Sequence, residues 1–348
     1  MEKPEEAPLH WSQQKEQAAG YWQLKLLIIL FKHFPLIILR VIAFPVGFMY
    51  LIKKKRARTE SSRFLQKIAP YIEDPTQEKK CRSRFGPLRH IVSFALSMVE
   101  KIQSWGDKFS LDDIYFQDDD IGDLNRRLQE GKGAFILFSH LGNAMLLMGL
   151  LKPSERTGVS RKIQITTILD MKVNAHFSRM LNELNPQSSL DIIASDEIGS
   201  NTAVLLEERV AAGGLVLVTG DRTAAGGKNF MQQFMGQDAP FPSGIFYLAT
   251  LLNAPVYCLF GLRRKALSIK PTYTIHVHKS PITFDCPRKE RLRRCSLLAE
   301  SFAALLAKYC KEQPFQWYNF FDFWQEPRTD VREDRGSPLQ GGGAANEK

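Results

Sequence analysis

Short apolar runs alternate with stretches of helical periodicity from residue 134 to residue 261, and this alternation limits the fold more than any other feature of the chain. Each run is bounded by Gly, Pro or polar residues, as expected for strands buried on both faces of a parallel sheet. The strand-like runs are 134–139, 162–169, 191–194, 215–219 and 255–261, and the helical stretches between them are 144–151, 199–212 and 243–252. The pattern predicts an α/β fold with a mostly parallel central sheet flanked by helices.

The sequence on either side extends this prediction. Residues 59–130 have mostly helical spacing, and residues 288–311 predict a long C-terminal helix. Residues 272–279 alternate in polarity and predict an edge strand, whereas the Pro-rich stretch that begins at Asp238 predicts a turn before the next helix. The predicted divisions are an N-terminal membrane-associated helical segment (1–58), a single α/β domain (59–326) and a disordered Gly-rich tail (327–348).

The N-terminal segment Tyr21–Ile52 is the most apolar part of the chain, but cations interrupt it. Its longest uncharged run, Val41–Ile52, has 12 residues, whereas a transmembrane helix needs about 20 apolar residues. A clean transmembrane helix is therefore not expected, and Pro35 and Pro45 are expected to kink or divide the segment.

The positions of those cations suggest how the segment lies. Lys25, Lys32 and Arg40 are separated by seven and eight residues, so they fall on one stripe of a helix. The stripe predicts a helix in the membrane interface, with its cations among the lipid headgroups and the rest of the chain on the cytoplasmic side. The alternative is a pair of buried helices in a soluble protein.

The net charge of +10 at pH 7 indicates an anionic partner. Five cations lie within Lys53–Arg58, directly after the apolar segment, where they predict contact with an anionic membrane. Five more lie within Arg288–Arg294, which form either a solvated helix face or a surface for an acidic carrier protein or lipid headgroups. Aromatic residues do not alternate with these cations as a base-stacking surface requires, so nucleic acid is not an expected partner.

The cysteines and histidines predict neither a metal site nor a cofactor site. The chain has five cysteines and no CxxC pair, which argues against a disulfide scaffold and against a zinc cluster. His276 and His278 fall on one face of a predicted strand, but two ligands without a third are weak evidence for a metal.

The turn Ser139–Asn143 follows a predicted buried strand and holds the first candidate for catalysis. His140 lies at the carboxyl end of that strand, where α/β sheets place their ligands, and a neutral imidazole is suited to act as a general base. Gly142 gives the turn backbone freedom and Asn143 can cap the next helix. The alternative is a structural histidine in a loop.

The loop that contains Asp221 and Arg222 follows another predicted strand, so it is expected at the same edge of the sheet. Arg222 is suited to hold a phosphate or a carboxylate with two hydrogen bonds. A salt-bridged structural loop is the alternative.

These motifs, in this order, resemble bacterial acyltransferases of the lipid A biosynthesis type, within the lysophospholipid/glycerol-phosphate acyltransferase superfamily. The resemblance covers residues 10–326. The segments that carry it are His10–Glu16, Ser139–Asn143, Asp221–Arg222, Phe234–Gly244, Asn253–Arg263 and Gln316–Trp324. It implies transfer of a fatty acyl group from an acyl-carrier protein or acyl-CoA thioester to a hydroxyl or amine of a lipid or glycolipid, at the cytoplasmic face of the bacterial inner membrane.

The resemblance also implies residue roles. In the family a histidine acts as the base and an acid five residues later supports it, and His140 matches the histidine. Ser139, Gly142, Asn143 and Arg222 are then expected to shape the substrate site, with Arg222 and Asp221 ordering a substrate phosphate. These roles are predictions for this chain.

The chain departs from the family at position 145, where Met145 stands in place of the acid. Three accounts are open. Another acid, Asp170 or Asp221, supports His140; or His140 works with a less demanding acceptor; or the protein has lost catalysis and binds an acyl chain or a partner. We select His140 and Asp221 as the catalytic candidates and keep the non-catalytic homologue as the alternative.

Overall fold

The computed structural model describes residues 21–106, 110–117, 120–146, 159–169, 190–195, 198–223, 227–252 and 254–324. Three of the predictions fall on residues outside these ranges: the motif at 10–16, the acid candidate Asp170 and the tail at 327–348.

A seven-stranded sheet forms the centre of the molecule, in the order β1-β9-β8-β2-β5-β3-β4. The strands are β1 (Ile114–Phe116), β2 (Ala134–Phe138), β3 (Ile165–Leu169), β4 (Leu190–Ala194), β5 (Leu215–Thr219), β6 (Asn229–Phe234), β7 (Gln237–Pro242), β8 (Val256–Arg263) and β9 (Tyr273–Lys279). Neighbouring strands are parallel except for the antiparallel pair β8–β9. All five residues of β2 are buried, as the continuous apolar run requires. The predicted α/β class with a mostly parallel sheet is confirmed.

Helices cover the sheet and precede it. They are α1 (Tyr21–His33), α2 (Leu36–Lys53), α3 (Lys55–Ile68), α4 (Pro75–Arg82), α5 (Gly86–Trp105), α6 (Asp120–Gln129), α7 (Ser200–Ala211), α8 (Ser243–Leu251) and α9 (Arg288–Glu312). Short 3₁₀ turns at 144–146 and 314–316 lie near the carboxyl end of β2. The helices predicted at 199–212, 243–252 and 288–311 all form, whereas the described part of the one at 144–151 is only the short turn.

Two predictions of local structure were wrong. β9 is not an edge strand, because β1 pairs with its outer side; β1 has only three residues, too few to give a recognisable pattern in sequence. The stretch after Asp238 forms β7, which pairs antiparallel with β6 as a separate hairpin. The prolines Pro240 and Pro242 suggested a turn, but a strand with a single partner can place a proline where no ladder donor is needed.

The N-terminal helices pack against the domain through α5. Leu39, Ala43 and Gly47 recur every four residues on α2 and are buried against α5. A Cβ on Gly47 would lie 2.9 Å from Val92 Cγ2, so the glycine allows the two helices to approach closely. Pro35 separates α1 from α2, as predicted.

The opposite face of α2 carries exposed apolar side chains. They are Ile37, Ile38, Val41, Ile42, Val46, Phe48, Met49 and Ile52. Among the described residues, α2 is the one helix with the length and apolar composition to cross a membrane, a criterion that core helices and signal sequences also satisfy.

The predicted cationic stripe is wrong for Arg40. Its guanidinium donates to Gln103 Oε1 at 2.7 Å and to the carbonyl oxygen of Ile269 at 3.2 Å, so it faces the domain. Helical spacing places a residue on a face but does not say whether protein or lipid covers that face.

Candidate functional site

Strand pairing brings His140 and Asp221 together. β2 and β5 are parallel neighbours, and Phe138 pairs with Thr219 at their last residues. His140 and Asp221 each lie two residues beyond that pair, so the register places them side by side although 81 residues separate them in sequence. Gly220 helps this approach, because its N–H donates to the carbonyl oxygen of Phe138 at 2.8 Å.

The Asp221 carboxylate accepts three hydrogen bonds and is fully buried. Its Oδ1 lies 2.9 Å from His140 Nδ1, and its Oδ2 accepts from the backbone N–H of His140 at 2.9 Å. The Trp317 indole N–H also donates to Oδ2, at 3.0 Å. A carboxylate accepts and does not donate, so His140 Nδ1 carries the hydrogen and Nε2 keeps its lone pair.

The electrostatics keep the pair in this state at neutral pH. Burial alone would raise the pKa of Asp221, but His140, Arg222 and the Trp317 N–H together hold that pKa well below its ordinary value. Burial, with the positive charges of Arg222 and Lys101, lowers the pKa of His140 below its usual value, although Asp221 acts in the opposite direction. His140 is therefore neutral and Asp221 is charged.

One third of the His140 side chain is exposed, whereas its partner is completely enclosed. Among the described residues, Nε2 of His140 has no hydrogen-bond partner. The arrangement presents one basic nitrogen outward and hides the carboxylate that orients it, which is the geometry of a general base.

The turn after His140 is held by β8 and by the chain beyond α9. Gly142 has a φ of +70°, and a Cβ there would lie 2.1 Å from the carbonyl oxygen of Gly261. Its N–H donates to the carbonyl oxygen of Gln316, and the N–H of Asn143 donates to that of Gly261, both at 2.8 Å. The predicted need for glycine follows from both conformation and close approach.

The polar side chains of this turn bond within the protein. Ser139 Oγ accepts from the N–H of Leu141 at 3.2 Å. Asn143 Oδ1 accepts from the N–H of Met145 at 3.1 Å, so Asn143 caps the short 3₁₀ turn, and its amide lies 3.4 Å from Ser104 Oγ. Both side chains are buried. These contacts shape the turn. The role of Ser139 and Asn143 in substrate binding stays a prediction.

Arg222 lies beside the pair and is anchored by neutral groups. It donates to Asn319 Oδ1 at 2.9 Å and to the carbonyl oxygen of Tyr318 at 3.1 Å. Its guanidinium also lies 4.8 Å from the centre of the Phe321 ring. Burial lowers the pKa of Arg222, and Asp221 opposes that effect.

Met145 does not face the polar pair. It is half-buried and packs against the apolar cluster between the N-terminal helices and α5, which includes Leu39, Val92 and Val99. The resemblance placed the supporting acid at this position; among the described residues, the acid that contacts His140 comes from the loop after β5.

Trp317 is the residue of this site that the sequence did not assign a role. Its indole is fully buried, and its carbonyl oxygen accepts from His90 Nε2 at 2.9 Å. His90 Nδ1 in turn lies 2.9 Å from Ser61 Oγ on α3, and burial lowers the pKa of His90 to about 4, which keeps the ring neutral. The segment Gln316–Trp324 carried part of the family resemblance, and that was its one signal in the sequence.

Metal binding finds no support among the described residues, where no three His, Cys, Asp or Glu side chains lie close enough to share an ion. His278 Nε2 lies 2.6 Å from Tyr309 Oη, and the His276 ring lies 4.5 Å from the Tyr309 ring. The two histidines pack on α9.

No protein-family model matches the chain, and no curated protein matches it significantly.

Proposed function

We propose that this protein is a membrane-associated acyltransferase with His140 as its general base. It transfers a fatty acyl group from the thioester of an acyl-carrier protein or acyl-CoA to a hydroxyl or amine of a lipid or glycolipid. The observation that carries the proposal is the contact of His140 Nδ1 with the buried carboxylate of Asp221, at 2.9 Å, which leaves Nε2 as an exposed base.

His140 acts in two steps of the reaction, first as a base and then as an acid. Nε2 of His140 takes the proton from the acceptor, and the acceptor oxygen or nitrogen attacks the thioester carbonyl carbon. Asp221 stabilises the imidazolium that forms. The tetrahedral intermediate then breaks its C–S bond, and the imidazolium returns its proton to the departing thiolate. The products are the acylated acceptor and the free thiol.

The substrate class rests on the sequence resemblance, whereas the residue contacts support a catalytic site. The turn Ser139–Asn143, the pair Asp221–Arg222 and the segment Gln316–Trp324 are distant in sequence but meet around one imidazole. A catalytic role explains why these three segments converge.

The exposed face of α2 supports attachment to a membrane. Its apolar side chains lie beside exposed lysines at Lys53, Lys54 and Lys55, which suits a helix half-immersed in an anionic lipid surface. The proposed location is the cytoplasmic face of the bacterial inner membrane. Co-sedimentation with phosphatidylglycerol vesicles should exceed that with phosphatidylcholine vesicles.

A matched pair of variants tests this attachment. Val41→Asp should weaken vesicle binding because Val41 is exposed on α2, whereas Val204→Asp, at an exposed position on α7, should not. Equal binding of the two variants would contradict attachment through α2.

The proposed activity is tested by release of free thiol. Purified full-length protein, an acyl-carrier thioester and a bacterial lipid extract should release carrier thiol and form an acylated lipid. His140→Ala should abolish the release, and it should also lower the unfolding temperature, because the buried carboxylate of Asp221 loses one of its three donors. Equal release by His140→Ala would refute the assignment of the base.

The non-catalytic alternative was motivated by Met145. The carboxylate of Asp221 weakens that motive, because it supplies the support that Met145 lacks. This alternative predicts no turnover with any acceptor, together with full biological rescue by His140→Ala.

A further inference from the structure

The loop between β8 and β9, residues 264–272, carries three exposed cations and one exposed apolar side chain. They are Arg264, Lys265, Lys270 and Ile269, which is 37% exposed. The loop contains no acid. Cations beside an apolar side chain are typical of a surface that meets anionic lipid headgroups. Composition alone does not distinguish this loop from an ordinary solvated turn, whereas its position in the fold does.

Arg263 holds the loop in one conformation. Its side chain is buried, and its guanidinium donates to the carbonyl oxygens of Ala266 at 2.6 Å and Ser268 at 2.9 Å. The same guanidinium pairs with the buried carboxylate of Glu100 on α5. Because these contacts are enclosed, the loop keeps a fixed position relative to α5.

The loop adjoins the exposed face of α2. The Arg40 guanidinium donates to the carbonyl oxygen of Ile269 at 3.2 Å, and Leu267 packs against the apolar cluster between the N-terminal helices and α5. Ile37 lies three residues before Arg40 and Val41 follows it directly, and both are exposed. Residues three apart are neighbours on a helix surface, so the exposed apolar face of α2 continues through Ile37 towards Ile269.

The loop also lies at the same edge of the sheet as His140. β8 runs parallel to β2, and Gly261 near its carboxyl end bridges to Gly142 in the His140 turn. Arg264 follows Gly261 by three residues, a distance of about 10 Å at the usual rise of a strand. A bilayer that contacts the loop and α2 therefore faces the edge of the sheet from which His140 extends.

The neighbouring strand β1 adds an aromatic ring to this surface. The Arg264 guanidinium lies 4.6 Å from the centre of the Tyr115 ring, and Tyr115 is 47% exposed. Tyrosine is enriched at membrane–water interfaces, because its ring is apolar and its hydroxyl is polar. Asp112 and Asp113 precede β1 and offset part of the positive charge, so the apolar side chains have to contribute to the contact as well.

The second basic segment of the chain, Arg288–Arg294, lies at the opposite edge of the sheet. The chain leaves β9 beside the amino end of β8, where the N–H of Ser280 donates to the carbonyl oxygen of Val256 at 2.8 Å. The last arginine of the segment donates to the carbonyl oxygen of Thr283 at 2.6 Å. Leu292 is 63% exposed within this segment, so it provides a control of similar composition in a different place.

We propose that the loop 264–272 is a second membrane-binding element, which contacts anionic lipid together with α2 and turns the carboxyl edge of the sheet towards the bilayer. This inference rests on the proposed function, which places the protein on a membrane. Ile269 and the Tyr115 ring enter the interface, and Lys265 and Lys270 pair with lipid phosphates. The orientation brings a lipid acceptor to the side of the domain that holds the base.

The first test measures whether Ile269 enters the bilayer. Full-length protein with Cys286→Ser, which removes the one half-exposed cysteine of the five, carries a polarity-sensitive fluorophore on Ile269→Cys. Vesicles of phosphatidylglycerol brominated in the acyl chains should shift the emission to the blue and quench it. The same label on Leu292→Cys should show neither change, although cations surround it. An unquenched label at position 269, or equal quenching at the two positions, would overturn the inference.

The second test measures the contribution of the loop's charge. Lys265→Glu combined with Lys270→Glu should weaken binding to phosphatidylglycerol vesicles about 10-fold or more at low salt, because each lysine near an anionic surface adds to the affinity. The difference should vanish at high salt, where the charges are screened. Lys265→Gln with Lys270→Gln replaces this variant if it does not fold, and unchanged binding then counts against the loop.

A matched double variant makes the charge test specific. Lys289→Glu combined with Arg293→Glu gives the same change in net charge at exposed positions of α9. Its effect on vesicle binding should be less than about threefold, because these residues lie at the far edge of the sheet and their charges are screened. Equal losses in the two double variants would overturn the assignment of the loop.

An acidic carrier protein bound to the loop is a different outcome. The Lys265→Glu, Lys270→Glu variant would then raise KM for the carrier thioester with a water-soluble acceptor, while vesicles leave the label at position 269 unquenched. That result would overturn the contact with lipid.

The outcomes separate this inference from the proposed function. Thiol release by the wild type, together with an unquenched label at position 269, would leave the acyltransferase function intact and overturn the loop contact. A quenched label at that position without thiol release would support the loop contact and contradict the proposed function.

Discussion

Two segments beside His140 could have supplied its acid, and they differ in their distance along the chain, their burial and their hydrogen-bond donors. The 3₁₀ turn Ala144–Leu146 is close in sequence, and its central residue Met145 packs on an apolar cluster. The loop after β5 is 81 residues away, and its Asp221 is fully enclosed with three N–H donors. The partner of His140 is therefore set by the pairing of β2 with β5, and not by spacing along the chain.

The two environments also explain which residue each position accepts. A carboxylate at 145 would have to share an apolar layer with Leu39 and Val92, which costs free energy unless donors are present. A carboxylate at 221 has its donors built in. The family resemblance points to one position and the geometry to the other, so substitutions at the two positions should have contrasting effects on the rate and on stability.

The largest effect is expected for Asp221→Asn. Loss of the carboxylate should lower kcat by up to about 10⁴-fold, because the imidazolium loses its stabilising charge and the amide favours the wrong tautomer. Thiol release measures the effect, and Asp285→Asn, at an exposed position, is the control. Retained activity in a folded Asp221→Asn protein would mean that another group supports His140.

A smaller loss is expected for Trp317→Phe. The change removes the indole N–H that donates to Asp221 Oδ2, and a hydrogen bond to a charged group is worth about 1.5–3 kcal/mol. Turnover should fall about 10- to 100-fold and KM should change little. Trp324→Phe is the matched control, because that indole donates to the carbonyl oxygen of Phe234 instead. Equal losses in the two variants would indicate a packing effect only.

The smallest effect on the rate is expected for Met145→Glu. Turnover should not increase, because position 145 faces the apolar cluster. The free energy of unfolding should fall by about 1–3 kcal/mol, the cost of burying a polar group without partners. Met231→Glu, at an exposed position on β6, should be close to neutral.

A double variant makes this last prediction sharper. Met145→Glu should fail to rescue Asp221→Asn when thiol release is measured. A rescue would show that an acid at 145 reaches the imidazole, and it would restore the spacing that the resemblance implies.

Local patterns were sufficient to locate most of the elements. The runs at 134–139 and 215–219 became β2 and β5, and the helix predicted at 288–311 became α9, because burial on both faces and helical periodicity leave direct marks on sequence. β1 was too short to leave such a mark, and two prolines concealed β7.

The candidate site was only partly predictable, because local patterns mark strand ends but not the packing of more distant segments. His140, Asp221 and Arg222 were chosen because each follows a strand, and the sheet does place them at one edge. Trp317 lies after α9, where the sequence shows only an aromatic segment. Its contact with Asp221 depends on how the chain beyond α9 packs against the sheet.

Sequence alone was enough for the longer buried strands, the glycine in the His140 turn and the excess of positive charge, since each follows from local composition or backbone conformation. Only the fold shows which strands are neighbours, and therefore why Asp221, and not position 145, supplies the acid beside His140. The physical reason is that hydrogen-bonded strand order and helix packing join residues far apart in the chain, and no local pattern encodes those distances.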